Sequence, residues 1–338
     1  MSVKIKKRED KMNKNIKRKG NLKYSLLLLL LLAVLLVSST YAWFTANKVV
    51  SISTIDVNVQ AQNGLQISAD ASNWKAILQK TDITGATATY ATNKNQVPDI
   101  LETISTAGNV SSGYLDMFAG SVSSHQGEYI LKATKEAAEQ AGTTGKYIAF
   151  DVFLKVDQDT DIVLTTDSSV EYKPETTDRG LQNAARVAFL VKGNVGPGST
   201  SQNAQELDGG DTSSTYIWEP NYDVHTASAV QHAKDTYGIT TTTTGGSQLS
   251  YDGIKADISG TDVKVGEANK THHPDNFEKV TPKISTKQVI DKNQTLFRLT
   301  AGVTKVRIYM WIEGQDVDCE NNASGSDVSF NLQFSVAK

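Results

Sequence analysis

Lys146 to Val156 reads K-Y-I-A-F-D-V-F-L-K-V, and its alternation decides the fold class. In an extended chain Ile148, Phe150, Val152, Leu154 and Val156 fall on one face, and Tyr147, Ala149, Asp151, Phe153 and Lys155 on the other. One face is wholly apolar and the other mixed, which predicts a strand in a sheet packed on one side and wet on the other. The same period returns near the end of the chain. Val306, Ile308, Met310 and Ile312 alternate with Lys305, Arg307, Tyr309 and Trp311; Val328, Phe330, Leu332, Phe334 and Val336 alternate with Asp327, Ser329, Asn331, Gln333 and Ser335. Two long strands are expected there, adjacent and antiparallel, joined by a decorated loop from Glu313 to Ser326.

Working outward, Arg186 to Val191 is a continuous apolar run short enough for a central strand, and Tyr216 to Trp218 a short strand stopped at Glu219-Pro220-Asn221. Asp157 to Asp161 makes a turn into a return strand from Ile162 to Thr165. Lys48 to Val59 is rich in β-branched residues, with Ile55, Val57 and Val59 pointing opposite to Asp56 and Asn58, and ends at the turn Asn63-Gly64. Ser72 to Lys80 predicts one short helix, capped by Ser72, with Trp74, Ile77 and Leu78 on a shared face. Thr81 to Gly127 reads as a long irregular excursion with apolar islands at Ile100 to Ile104 and Tyr114 to Phe118; Gly193 to Asp211 and Thr240 to Gly246 read as loops. Sheets with one apolar face must bury it on each other. An all-β, antiparallel two-sheet sandwich with inserted short helices and long loops is therefore expected, as one domain over 43–338.

With 39% apolar residues the chain can fill a sizeable core, and a 21% charged fraction with six prolines is not the composition of a disordered protein. Ten Lys or Arg against Glu9 and Asp10 precede Leu26, so this arm carries +8 and the remainder −11 of a total of −3. An acidic body argues against nucleic acid and against anionic surfaces as partners. Cys319 is the only cysteine, so no internal disulfide can staple the fold; a small buried or turn residue is expected there.

After the basic arm, Leu26 to Val37 is uninterruptedly apolar and gives way to small and polar residues, the layout of a hydrophobic signal helix over residues 1–42. The run is short for a membrane span, although Tyr24 to Phe44 taken whole would reach, so a retained anchor stays open. Thr40 and Ala42 have the small-residue spacing a signal peptidase seats, which places cleavage between Ala42 and Trp43. The string Thr40-Tyr41-Ala42-Trp43-Phe44-Thr45, followed by the alternating strand and Gly64-Leu65, resembles exported proteins of the TasA and camelysin type, processed by a SipW-like signal peptidase. The resemblance implies a jelly-roll sandwich, secretion to the matrix or cell surface, and a mature N-terminus that links subunits into fibres. That role would fall on Trp43, Phe44, Val50, Ile52, Ile55, Val57 and Val59. Adding a strand to the sheet edge of the next copy gives a head-to-tail homo-oligomer that does not close on itself. Membrane contact would run only through the N-terminal segment before cleavage.

Chemistry is sparse by comparison. No G-x-S-x-G, H-E-x-x-H, C-x-x-C or phosphate-binding loop occurs, and no cofactor is expected. His272 and His273, adjacent in a polar stretch, point apart if extended, and the five histidines are read as solvated loop residues. Camelysin relatives are described as metallopeptidases, but no zinc motif is present here to carry that over. Asp157, Asp159 and Asp161 alternate as in the first half of an EF-hand, then Ile162 stands where Gly is needed and Ser168 where a bidentate Glu is needed. Asp316 and Asp318 form a second acidic pair, equally explained by turn chemistry. The expectation is a non-enzymatic, self-assembling structural protein, with a tethered or secreted adhesin as the alternative.

Overall fold

The computed structural model describes residues 50–60, 64–173, 178–246, 249–282, 295–319 and 327–337. The chain divides into Met1–Tyr41 and Ala42–Lys338, and the described residues belong to the second unit. The expected signal helix, Ala42, Trp43 and Phe44 lie outside them.

The protein is mainly β, with two sheets. The first contains β1 (Val50–Val59), β3 (Ile77–Gln79), β4 (Ile100–Leu101), β11 (Thr160–Leu164), β12 (Ser169–Tyr172), β17 (Phe297–Leu299) and β19 (Asp327–Val336), in the order β17-β11-β19-β1-β3; β12 pairs with β19 and β4 with β1. The second contains β2 (Gln66–Ser68), β5 (Thr103–Ser105), β8 (Phe118–His125), β9 (Glu128–Lys135), β10 (Ile148–Val156), β13 (Ala185–Val195), β14 (Thr215–Trp218) and β18 (Gly302–Glu313), in the order β14-β13-β18-β5-β8-β9; β10 pairs with β18 and with β2. Two small ribbons, β6 (Val110–Ser111) with β7 (Tyr114–Leu115) and β15 (Tyr251–Ile254) with β16 (Phe277–Val280), lie outside these sheets. Helices are short: α1 (Lys80–Gly85), α2 (Ser201–Gln205) and α3 (Ala227–Tyr237).

The alternating apolar sets meet in one core between the sheets. Phe150, Val152 and Leu154 of β10 and Val306, Ile308 and Met310 of β18 join Phe330, Leu332 and Phe334 of β19 and Ile55 and Val57 of β1. Edge-to-face and tilted ring contacts among Phe189, Phe297 and Phe334 fix its centre.

Several expectations need correction. The sheets are mixed rather than antiparallel: β1 runs parallel to β19, and β18 parallel to β5. β18 and β19 are not neighbours; each sits in a different sheet, so they form no hairpin with each other. The mixed face of β10 is not wet, because Ala149, Asp151 and Phe153 are all buried. No helix covers Ser72 to Gln79. Asp70 accepts from the amides of Ser72 and Asn73 at 2.9 and 2.8 Å, closing a turn; Leu78 then enters β3, and helix begins only at Lys80. Within the predicted excursion β8 and β9 form a full hairpin from Phe118↔Lys135 to His125↔Glu128. Its turn residues Gln126 and Gly127 both have positive φ, 50° and 83°, the left-handed geometry of a tight two-residue hairpin.

Candidate functional site

Three places bear on function: the first strand, the acidic turns, and the outer face of the second sheet. β1 is a strand of its own chain. Val50, Ile52, Ile55, Val57 and Val59 are all buried in the core, and pairing to β19 runs from Ser51↔Asp327 to Val59↔Phe334. The Asn58 side-chain amide donates to Asn331 Oδ1 at 2.9 Å, and that of Gln60 to Gln333 Oε1 at 3.1 Å. The other edge of β1 is covered only by short pieces, β4 at Val50 and Ser51 and β3 from Asp56 to Asn58. These pieces carry the exposed large apolar residues Ile100 and Ile77, at 48% and 52% exposure.

The calcium candidates are not brought together. Asp159 accepts from the amide of Ala301 at 3.0 Å, and Arg298 faces both Asp159 and Asp161 at 3.9 and 3.4 Å. Asp157 packs against Gly64, where a Cβ would stand 2.7 Å from its Oδ2. Asp316 and Asp318 are buried against separate partners, Arg186 and His225, described below. Among the described residues no three His, Cys, Asp or Glu side chains gather as a metal would require. The histidines correct a further expectation: His125 and His272 are exposed, but His225 and His232 are buried. Cys319 is buried and forms no disulfide.

The outer face of the second sheet carries most of the polar chemistry. Along β18 the residues Lys305, Arg307, Tyr309, Trp311 and Glu313 point away from the core, yet all are buried. They are covered by chain from the supposed excursion and by the ribbons: Leu115 and Met117 pack with Tyr309, Trp311, Tyr251 and Val280 in a second apolar cluster. Charges trapped beneath such a cover must find partners.

At the N-terminal end of β18 they do. Arg307 donates through Nε to Glu139 at 2.6 Å, through Nη1 to Asp151 at 2.8 Å, and through Nη2 to the carbonyl of Lys94 at 2.7 Å, with Nη2 also in ion-pair contact with Glu139. Lys305 donates to the Tyr90 hydroxyl at 2.8 Å and to the carbonyls of Gln205 and Leu207 at 3.0 and 2.8 Å. Burial alone would raise the pKa of Asp151, but the charges of Arg307 and Lys305 hold it below the usual carboxylate range. Burial, with Lys192 and Arg307 nearby, lowers that of Lys305 against the pull of Asp151. These groups floor a cavity of about 210 Å³ that also reaches Thr92, Lys94, Tyr114, Lys192, Glu206 and Asp208. Lys192 donates to the carbonyl of Gly113 at 2.6 Å, and a Cβ on Gly113, at φ +78°, would sit 2.8 Å from its Nζ; only glycine fits.

At the other end acids predominate. Arg186 of β13 binds Glu219 at 2.7 Å, Asp316, and the carbonyls of Ala185 and Asn183. His225 Nδ1 lies 2.7 Å from Asp318 Oδ2, whose other oxygen accepts from the amide of Thr226 at 2.9 Å, just before α3. Glu313 accepts from Trp311 Nε1 and from the amide of Gln315, both at 3.0 Å. Burial pushes Glu313 up to about 7 against those donors, and Asp318 up to about 6 against the hydrogen bond from His225. Burial would lower His225, but its bond to Asp318 and the charges of Asp318, Asp316 and Glu219 raise it.

The sequence reading puts Asp151, Lys305 and Arg307 on a mixed face, Arg186 in a central strand and His225 in a solvated loop, and gives Glu139 no place. The available signal was aromatic: Phe153 beside Asp151, and Tyr309 and Trp311 beside Arg307, are costly on a solvated face. Compared with known proteins, the chain matches no family model, no curated protein and no solved structure.

Proposed function

We propose that this is an exported structural protein of the bacterial cell surface or biofilm matrix, of jelly-roll type, released from its leader by a SipW-like signal peptidase at Ala42-Trp43 and assembling head to tail through its N-terminal strand. One observation carries most of the support. Among the described residues β1 forms no hairpin: it lies parallel to β19, with two short strands, β3 and β4, on its other edge. A strand held this way can be supplied by another copy in the same register, which is the geometry strand addition uses. Trp43 and Phe44 would extend the donated segment, and open-ended donation builds filaments.

The test is a disulfide trap in a Cys319→Ser background. Asn58 and Gln333 are register partners, so both are changed to Cys. If β1 passes between copies, non-reducing gels of assembled material show a ladder of linked chains, and N-terminal sequencing of the secreted form begins at Trp43. A single band with the link closed inside one chain, from material that is fibrous by electron microscopy, overturns strand exchange.

A further inference from the structure

We infer that the cavity at the Lys305–Arg307 end of β18 is a receptor for the carboxylate of a small polar molecule. Its inner wall is unbalanced. Lys192, Lys305 and Arg307 are buried, and the buried carboxylates facing them are Asp151 and Glu139. The acid on Lys192, Asp208 at 2.7 Å, has a side chain 61% exposed and is screened by solvent. Three desolvated cations against two desolvated anions leave the wall attractive to one negative charge.

Donors are also left over. A guanidinium has five N–H groups, and Arg307 commits three of them to hydrogen bonds, with Glu139, Asp151 and the Lys94 carbonyl, while its Nη2 also lies in ion-pair contact with Glu139. Lys192 commits two of three, to Gly113 and Asp208, and the Tyr114 ring lies 4.7 Å from its Nζ. Arg307 Cζ lies 5.6 Å from the same ring, so Tyr114 holds both cations in place while leaving their remaining N–H groups unspent. The Lys94 side chain, exposed at the rim, adds a further ammonium.

Size and rim narrow the ligand. A volume of about 210 Å³ holds roughly seven waters at about 30 Å³ each, the scale of one sugar ring or one amino acid. Glu206 and Asp208 at the mouth would repel a polyanion and accept hydrogen bonds from hydroxyls or an ammonium. A monocarboxylate bearing such donors fits, and a uronic acid and a free amino acid share that chemistry.

The experiment is calorimetric titration of the folded full chain with glucuronate, with glutamate, and with glucose as the uncharged control. Millimolar or tighter binding of either acid, with none for glucose, is expected at low salt and weakens as salt is raised. Preference for glucuronate or for glutamate identifies the source, and equal binding supports carboxylate recognition alone. Lys94→Glu, a change at an exposed position, should weaken binding about tenfold with the melting temperature unchanged; Lys192→Gln should weaken it more. Failure of both acids to bind at about 10 mM, equal binding of glucose, or unchanged affinity in folded Lys94→Glu overturns the inference.

Discussion

The two ends of the outer face of β18 bury the same kinds of residue and behave in opposite ways. Around Arg307 and Lys305 the buried cations, with Lys192, outnumber the buried carboxylates Asp151 and Glu139, both of these touch Arg307, and the cluster opens to a cavity. Around Glu313 the carboxylates of Glu219, Asp316 and Asp318 outnumber Arg186 and His225. A buried acid with too few cations keeps its proton longer, so the folded state holds protons at this end that the unfolded chain has released. Glu313 and Asp318, both raised, therefore lose stability as pH climbs from the ordinary carboxylate range through about 7 and about 6. His225, also raised, contributes fully below its ordinary value and loses that contribution as pH rises through its folded one. Asp151 is lowered; its contribution is present above the ordinary carboxylate value and disappears only on stronger acidification. Glu139, raised by burial, runs with the acidic end. The same sheet face thus weakens toward alkali through Glu313, Asp318, His225 and Glu139 and toward acid through Asp151, according to whether burial or the neighbouring charges prevail at each group.

The sharpest way to break that contrast is Arg307→Met, which strands Asp151 and Glu139 without their cation. A loss of about 3–5 kcal/mol by urea unfolding is expected, whereas converting Arg307, Asp151 and Glu139 together to apolar residues should restore most of it. Phe330→Ala calibrates the scale from the opposite side of the fold: the ring is fully buried in the shared core, and about 3–5 kcal/mol should be lost at every pH. Glu313→Gln sharpens the acidic end. It should leave stability near pH 5 little changed and raise it by about 2–3 kcal/mol near pH 8, flattening the fall between them; an unchanged pH profile would remove Glu313 as its origin. Smallest is Arg298→Ala. Its pairs with Asp159 and Asp161 are exposed, so thermal unfolding should register under about 1 kcal/mol.

Alternation identified the residues facing the core correctly in β10, β18 and β19, because a period of two is a property of the strand itself. What covers the other face is not local, and neither is strand adjacency. β18 and β19 follow each other in sequence yet part between sheets, since each long apolar face needs its own partner across the core. The β8–β9 hairpin was hidden for a different reason: F-A-G-S-V-S-S-H is poor in β-branched residues, and Gln126-Gly127 lacks the Asn or Asp that usually marks such a turn. The helix expected from Ser72 lost to Asp70, whose carboxylate satisfies the very amides a helix start would leave open. Which buried charges pair left no trace in local pattern, because Arg186 and Asp316 stand 130 positions apart.

Pairing of β1 with β19 has a consequence in time. Ser53 and the Val328 carbonyl it contacts are 275 positions apart, so a chain synthesised from its N-terminus makes the first strand long before its mate exists. At about 5–20 residues per second that wait lasts tens of seconds. Throughout it the ribbon from Val50 to Val59 has apolar side chains and no partner along the edge that β19 will take, and where chains are crowded a neighbour that has already finished folding can reach it first.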